Sequence, residues 1–233
     1  MTSWRRAVVI GATGGIGSAL ADSLENGGAQ VVRLSRSAAD RNARLDLLDE
    51  TSIAAAARRV SGGCAPDLVI VATGYLHEKG SGPEKDWVQL SPGHLAQNFA
   101  VNATGPALVA KHFLPLLPHE GRAGFAALSA RVGSISDNRL GGWYGYRASK
   151  AALNMLIRTL SVELARKKPE AFCVALHPGT VDTALSDPFQ RGVPEGKLFS
   201  PADCAARLIR VLANCDRASS GKLFAYDGTV IEP

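Results

Sequence analysis

Residues 8–20 read Val8-Val9-Ile10-Gly11-Ala12-Thr13-Gly14-Gly15-Ile16-Gly17-Ser18-Ala19-Leu20, "VVIGATGGIGSAL". A short apolar, β-branched run enters a glycine turn and leaves it with apolar residues at helical spacing. Such a turn lets backbone N–H groups at a helix N-terminus approach an anion that side chains would hold off. The glycines satisfy two spacings, G-x-x-x-G-x-G through Gly11, Gly15 and Gly17, and G-x-x-G-x-x-G through Gly11, Gly14 and Gly17. Neither is G-x-G-x-x-G, yet either sets Thr13, Gly14, Gly15 and Ile16 against a dinucleotide pyrophosphate. No Gly-Lys-Ser/Thr follows, which excludes a P-loop.

The alternation that starts here continues along the chain. Strands are expected at residues 7–10, 30–34, 44–46, 68–72, 124–129, 172–177 and 222–225. Helices are expected at 15–26, 51–60, 92–117, 144–167 and 200–213. Ser91-Pro92 and Ser200-Pro201 are helix starts, and Asn26-Gly27-Gly28 is a stop. "DLVIVA" (residues 67–72) is apolar throughout rather than alternating, as a strand covered on both faces should be. The pattern predicts an α/β fold: a doubly wound, Rossmann-type parallel sheet with helices on both faces, one domain over 1–233. Residues 182–199, rich in Pro and Gly, form the longest stretch without a clear period and are expected to be a substrate loop or lid.

Composition narrows the function classes. Of 233 residues, 46% are hydrophobic and 20% charged, and no apolar run is long enough to span a bilayer. The N-terminus has no signal-peptide pattern, so a cytoplasmic location without membrane attachment is expected. Cys64, Cys173, Cys204 and Cys215 lack metal-ligand or redox-pair spacing, so no metal is expected. The net charge of +5 comes with no basic run interleaved with aromatics, which argues against nucleic acid and leaves a small anionic ligand open.

In a dinucleotide site an acidic residue closing the second strand holds the adenosine ribose of NAD. Here that strand runs Val31-Val32-Arg33-Leu34-Ser35-Arg36, with no carboxylate before Asp40. Arg36, helped by Ser35, suits the 2′-phosphate of NADP, so NADP (NADPH) is preferred over NAD.

Further on, "WYGYRASKAALN" (residues 143–154) places Tyr146 one helical turn before Lys150. With the glycine loop, this resembles the short-chain dehydrogenase/reductase family, in its single-domain branch, across essentially the whole chain. Asp46-Leu47 in "LDLLD", Ala72-Thr73-Gly74 in "VATG", Asn102 in "VNATG" and Pro178-Gly179 with Val181 and Thr183 in "HPGTVDT" fall in the family's order. "SARVGS", "GGWYGYRASKAALN" and the final "YDGTVIEP" resemble the branch holding C-factor and the sniffer-type carbonyl reductases.

The resemblance implies an NADP(H)-dependent carbonyl reductase or alcohol dehydrogenase acting on a small carbonyl or alcohol substrate. Tyr146 would be the general acid, and Lys150 would lower its pKa from about 10 towards 7 and bind the nicotinamide ribose. Asn102 would hold a water linking Lys150 to solvent. Asp46, Leu47, Ala72, Thr73 and Gly74 would contact the adenine and central part of the cofactor, and Pro178, Gly179, Val181 and Thr183 its nicotinamide side. The family also places a serine upstream of the tyrosine, where its usual spacing here meets Gly133. Ser129 closes a strand 17 residues before Tyr146, but Ala130 replaces the second serine of the usual pair, and Ser134 lies 12 before. Either Ser129 or Ser134 completes the set, with strand-end placement favouring Ser129.

Other readings stay in view. A dinucleotide-binding regulator or signalling protein would use the same fold without turnover, and an epimerase would need a larger C-terminal region. His77 and His177 read as structural, and Trp143 and Tyr144 as pocket or packing residues. The two long helices are expected to form homodimer or homotetramer faces.

Overall fold

The computed structural model describes residues 4–77 and 82–233. β1 (Arg6–Ile10) runs into the glycine turn and α1 (Gly15–Asn26), followed by β2 (Gln30–Leu34), α2 (Glu50–Ser61) and β3 (Leu68–Val71). α3 (Pro92–Phe99), α4 (Gly105–Phe113), β4 (Ala123–Leu128), α5 (Tyr144–Lys167) and β5 (Ala171–His177) follow. The chain ends with β6 (Thr180–Val181), β7 (Leu198–Phe199), α6 (Pro201–Asn214), β8 (Leu223–Ala225) and β9 (Val230–Ile231). The main sheet has the order β2-β1-β3-β4-β5-β8-β9, parallel except for the β8–β9 pair.

Alternate strand residues feed two cores, as a sheet covered on both sides requires. Val8, Ile10, Val69 and Val71 pack with α2, α4 and α5. Ala7, Val9, Leu68 and Ile70 pack with α1 and α6. Burying each such Val, Leu or Ile contributes about 1.5–3 kcal/mol, which sets register, because a one-residue slip exchanges the two faces.

Three expectations change. Residues 44–46 are not a strand: Asp40 caps a 3₁₀ turn at Arg41–Ala43, leaving one bridge between Ser35 and Arg44. The helix expected over 92–117 is interrupted by a π turn at Ala100–Thr104 and ends in a 3₁₀ turn at Leu114–Leu116. The 182–199 segment holds a 3₁₀ helix at Asp187–Gly192, and its base is closed by parallel pairing of β6 with β7. No helix among the described residues is long and apolar enough to cross a membrane.

Candidate active site

The site lies at the carboxyl ends of β1, β2 and β3, where strand order reverses around β1. A groove of about 340 Å³ there is lined by Gly11, Thr13, Ser35, Arg36, Asp46 and Thr73, among others. A larger groove of about 650 Å³ between α4 and α5 holds none of the predicted site residues.

Close approach explains the glycines. Gly11 has φ +87°, and a Cβ there would meet the Ala72 carbonyl oxygen at 2.9 Å. A Cβ on Gly17 would stand 2.2 Å from the Gly11 carbonyl oxygen, so the first helical turn packs directly on the loop. A Cβ on Gly15 would come 2.9 Å from Thr183 Cγ2, which brings the segment after β6 against the loop. The N-cap of α1, Gly14, supplies no side-chain acceptor, leaving the helix N–H groups for a ligand.

The groove fits a dinucleotide by a second observation: the Ser35 and Thr73 hydroxyls are buried with no hydrogen-bond partner among the described residues, and sugar or phosphate oxygens would satisfy them. Thr13 Oγ1 lies 3.0 Å from Ser37 Oγ, joining the glycine loop to the segment after β2. Arg33 is held by Asp22 and Glu25, whereas Arg36 is exposed with no acidic partner among the described residues. Asp46 spends Oδ1 on the Leu48 N–H, and Leu47 packs against Gly105 at the start of α4.

Deeper in, α5 lays Tyr146 and Lys150 on one face, with Lys150 Nζ 5.6 Å from the centre of the Tyr146 ring. Lys150 is buried and donates to the Leu128 carbonyl oxygen at 2.8 Å. A Cβ on Gly74 would lie 3.9 Å from Lys150 Nζ and 4.0 Å from Asn102 Oδ1. Tyr146, Lys150, Asn102 and the strand end at Gly74 therefore surround one small space.

Asn102 sits in the π turn, with both polar atoms of its side chain engaged. Its Oδ1 accepts from the Tyr75 N–H, and its Nδ2 faces Tyr75 O, Asn98 Oδ1 and Ser149 Oγ at 2.7–3.2 Å. Its Oδ1 accepts that one bond and keeps a second lone pair, which the expected water would use. The pKa pattern departs from expectation. Burial pushes the Tyr146 phenol up to about 12 and the Lys150 ammonium down to about 7. Both neutral forms are favoured because, among the described residues, no carboxylate offsets the lost hydration.

Of the two serines, Ser129 Oγ donates to Asn154 Oδ1 at 2.7 Å, one turn beyond Lys150. Ser134 Oγ accepts from the Asp137 N–H at 3.1 Å and lies 3.3 Å from Ser136 Oγ. Both hydroxyls are thus engaged away from Tyr146. Gly133 is glycine because a Cβ would strike Lys150 at 2.8 Å.

On the nicotinamide side, Val181 is buried and its carbonyl oxygen accepts from Thr183 Oγ1 at 3.4 Å. Gly179 takes φ +78° under the Phe199 and Tyr226 rings, and the Pro178 carbonyl oxygen accepts from Cys204 Sγ at 3.6 Å. His177 Nδ1 is buried without a partner among the described residues, and burial, with Arg131 nearby, pushes that imidazole down to about 4. His77 and Trp143 flank Phe189, with ring centres 5.5 and 5.0 Å away.

Sequence reasoning missed Glu84, His94, Asn98 and Ser149, which back this site. His94, Asn98 and Asn102 recur every fourth residue, a polar stripe on a mostly apolar helical stretch, and that was the available signal.

The sequence pattern of the short chain dehydrogenase family matches residues 5–193. C-signal of Myxococcus xanthus is 38% identical over 138 residues, 59% of this chain and 77% of that protein. The 1-hydroxy-2-glutathionyl-2-methyl-3-butene dehydrogenase of Rhodococcus sp. (strain AD45) is 30% identical over 236 residues, 97% of this chain and 98% of that protein. The NADPH-bound carbonyl reductase from chicken fatty liver superposes with a TM-score of 0.84 at 25% identity, covering 98% of this chain and 94% of its own. With its glycine loop, doubly wound sheet and Tyr146–Lys150 pair in that family's order, the chain belongs to the short-chain dehydrogenase/reductase family of oxidoreductases.

Proposed function

We propose that this protein is an NADP(H)-dependent carbonyl reductase. The observation that carries the reading is the convergence of Tyr146, Lys150 Nζ and Asn102 Oδ1 around the space beside Gly74, at the end of a groove with orphaned hydroxyls. The glycine loop and the N-terminus of α1 would hold the pyrophosphate, Ser35, Arg36 and Ser37 the adenosine phosphate, and Thr73 a sugar hydroxyl. Pro178, Gly179, Val181 and Thr183 would bound the nicotinamide side, and residues 182–199 would close over the substrate. The chicken carbonyl reductase, solved with NADPH, supports this cofactor preference.

When bound, NADPH supplies a hydride to the carbonyl carbon. Tyr146, with its pKa about 12, holds its proton at neutral pH and donates it to the carbonyl oxygen, leaving a phenolate. Lys150, on the same face, stabilises that phenolate when charged and is kept in place by Leu128. Asn102 fixes the residue after Gly74 through both polar groups of the Tyr75 backbone, so its side chain serves as a brace. A phenol held protonated favours reduction over alcohol oxidation, which would need the phenolate as base.

The test is NADPH oxidation across ketones, aldehydes and quinones, with Tyr146→Phe alongside. Turnover lost in the variant is expected. NADPH binding with no turnover on any of them would count instead for a dinucleotide-dependent regulator.

A further inference from the structure

The helix that carries Tyr146 and Lys150 begins without a cap of its own. Its N-cap, Trp143, offers no side-chain acceptor and has φ 52°, the only positive value at a non-glycine among the described residues. A bulky residue persists in that region only where its surroundings hold it.

Glu84, far away in sequence, does the holding. Its carbonyl oxygen accepts the Trp143 N–H at 2.5 Å. Its carboxylate lies over the first turn, with both oxygens 3.4 Å from the Gly145 nitrogen. A methyl group on Gly145 would come 3.1 Å from Glu84 Oε1 and 3.0 Å from Asn98 Nδ2, so glycine admits the carboxylate there. A carboxylate at a helix N-terminus meets free N–H groups and the positive end of the dipole.

Glu84 is 3% exposed, and a buried carboxylate needs a partner. Its one ionisable partner among the described residues is His94, whose Nδ1 lies 2.9 Å from Oε1. His94 Nε2 stands 3.2 Å from both Leu76 O and Asn98 Nδ2. Asn98 Oδ1 accepts from Asn102, which in turn donates to Ser149 Oγ on α5. The chain of contacts leaves α5 at Gly145 and returns to it at Ser149, enclosing Tyr146.

We propose that Glu84, supported by His94, is a positioning residue: it supplies the missing cap of α5 and so fixes Tyr146 relative to Lys150 and Asn102. The effect on turnover rests on the reductase reading, whereas the capping does not.

The test compares the full-length wild type with Glu84→Ala, Glu84→Asp and Glu84→Gln. Three quantities are read: amide hydrogen exchange along α5, NADPH affinity by nicotinamide fluorescence, and kcat and KM for a carbonyl substrate. In Glu84→Ala, exchange at 145–149 should rise about ten-fold while 159–166 stays unchanged. In that variant kcat should fall about ten-fold or more, with KM and NADPH Kd within about two-fold. Glu84→Asp keeps the charge but draws the carboxylate back, and should show the same changes in smaller measure. Glu84→Gln, whose amide oxygen can still accept the Gly145 N–H, should recover most of both. Unchanged exchange at 145–149 in the Ala and Asp variants overturns the cap, and faster exchange with full kcat overturns the positioning role. If Glu84→Ala does not fold, the Asp variant alone decides. A wild type that reduces no carbonyl defeats the reductase reading, and the exchange measurement still judges the cap.

Discussion

Tyr146 and Lys150 stand one helical turn apart, with Lys150 Nζ 5.6 Å from the phenol ring, yet burial moves their acidities in opposite directions, to about 12 and about 7. Near neutral pH it is then the lysine that titrates. In the free enzyme kcat/KM should fall as pH rises through about 7, because Lys150 loses the charge that steadies the developing phenolate. Ultraviolet difference titration against Tyr146→Phe should reveal no phenolate below pH about 10. A phenolate appearing near pH 7 would show that the pair lowers the phenol after all. Tyr146→Phe itself should cost about 10²–10⁴-fold in kcat with NADPH affinity kept.

The same burial has a signed effect on stability. Lys150 has a folded pKa of about 7, below its usual 10.5, so between those values the unfolded chain binds more protons. Stability contributed by this group therefore rises with pH across that window, and its penalty is fully present below about 7. Lys150→Met should stabilise the cofactor-free protein at pH 6–7 by about 1–3 kcal/mol, after allowing for the lost bond to Leu128 O. The gain should shrink towards pH 10. Thermal unfolding of both proteins at several pH values measures it. A difference that grows with pH would mean that Lys150 is charged and solvated where it stands.

What could be read from sequence was what depends on local spacing. The glycine turn and the Tyr146–Lys150 pair are each fixed within a few residues of chain. Residues 44–46 resembled a strand because Leu45 is flanked by polar residues. However, the Asp40 side chain closes a turn on Asn42 that spends the backbone pairing before a ladder can form. The π turn around Asn102 left no mark, since one extra residue in a turn hardly alters an apolar stripe. Glu84 was invisible for another reason. Its partners, Trp143 and Gly145, lie about sixty residues away, and nothing in either segment announces the other.

The Arg36 side chain decides the cofactor if the reductase reading holds. Replacing it in Arg36→Asp removes a cation and sets a carboxylate beside Ser35. NADPH binding should weaken by about 1.5–3 kcal/mol, roughly ten- to a hundred-fold in Kd, while NADH is spared or gains. Fluorescence titration with both nucleotides checks it. Equal loss for the two would place Arg36 outside the phosphate site and point to a disturbed β2 end.

The serine question has a structural form that activity can settle. Ser129 and Ala130 are neighbours in extended chain, so their side chains leave opposite sides, and the Ser129 hydroxyl is already given to Asn154. Ser129→Ala should leave Asn154 Oδ1 short of a donor at a cost of about 1–3 kcal/mol in stability. If that hydroxyl also serves the substrate, kcat should fall beyond what stability explains. Ser134→Ala should loosen the turn at Asp137 and affect turnover only if Ser134 is the donor. Gly133→Ser cannot supply the group, because its Cβ would meet the Lys150 backbone at 2.8 Å. Ala130→Ser adds a hydroxyl on the side of the chain that Ser129 does not face. An increase in kcat/KM with that variant, together with full activity in both alanine variants, would identify a site that works without its serine. Loss in one alanine variant alone would name the residue.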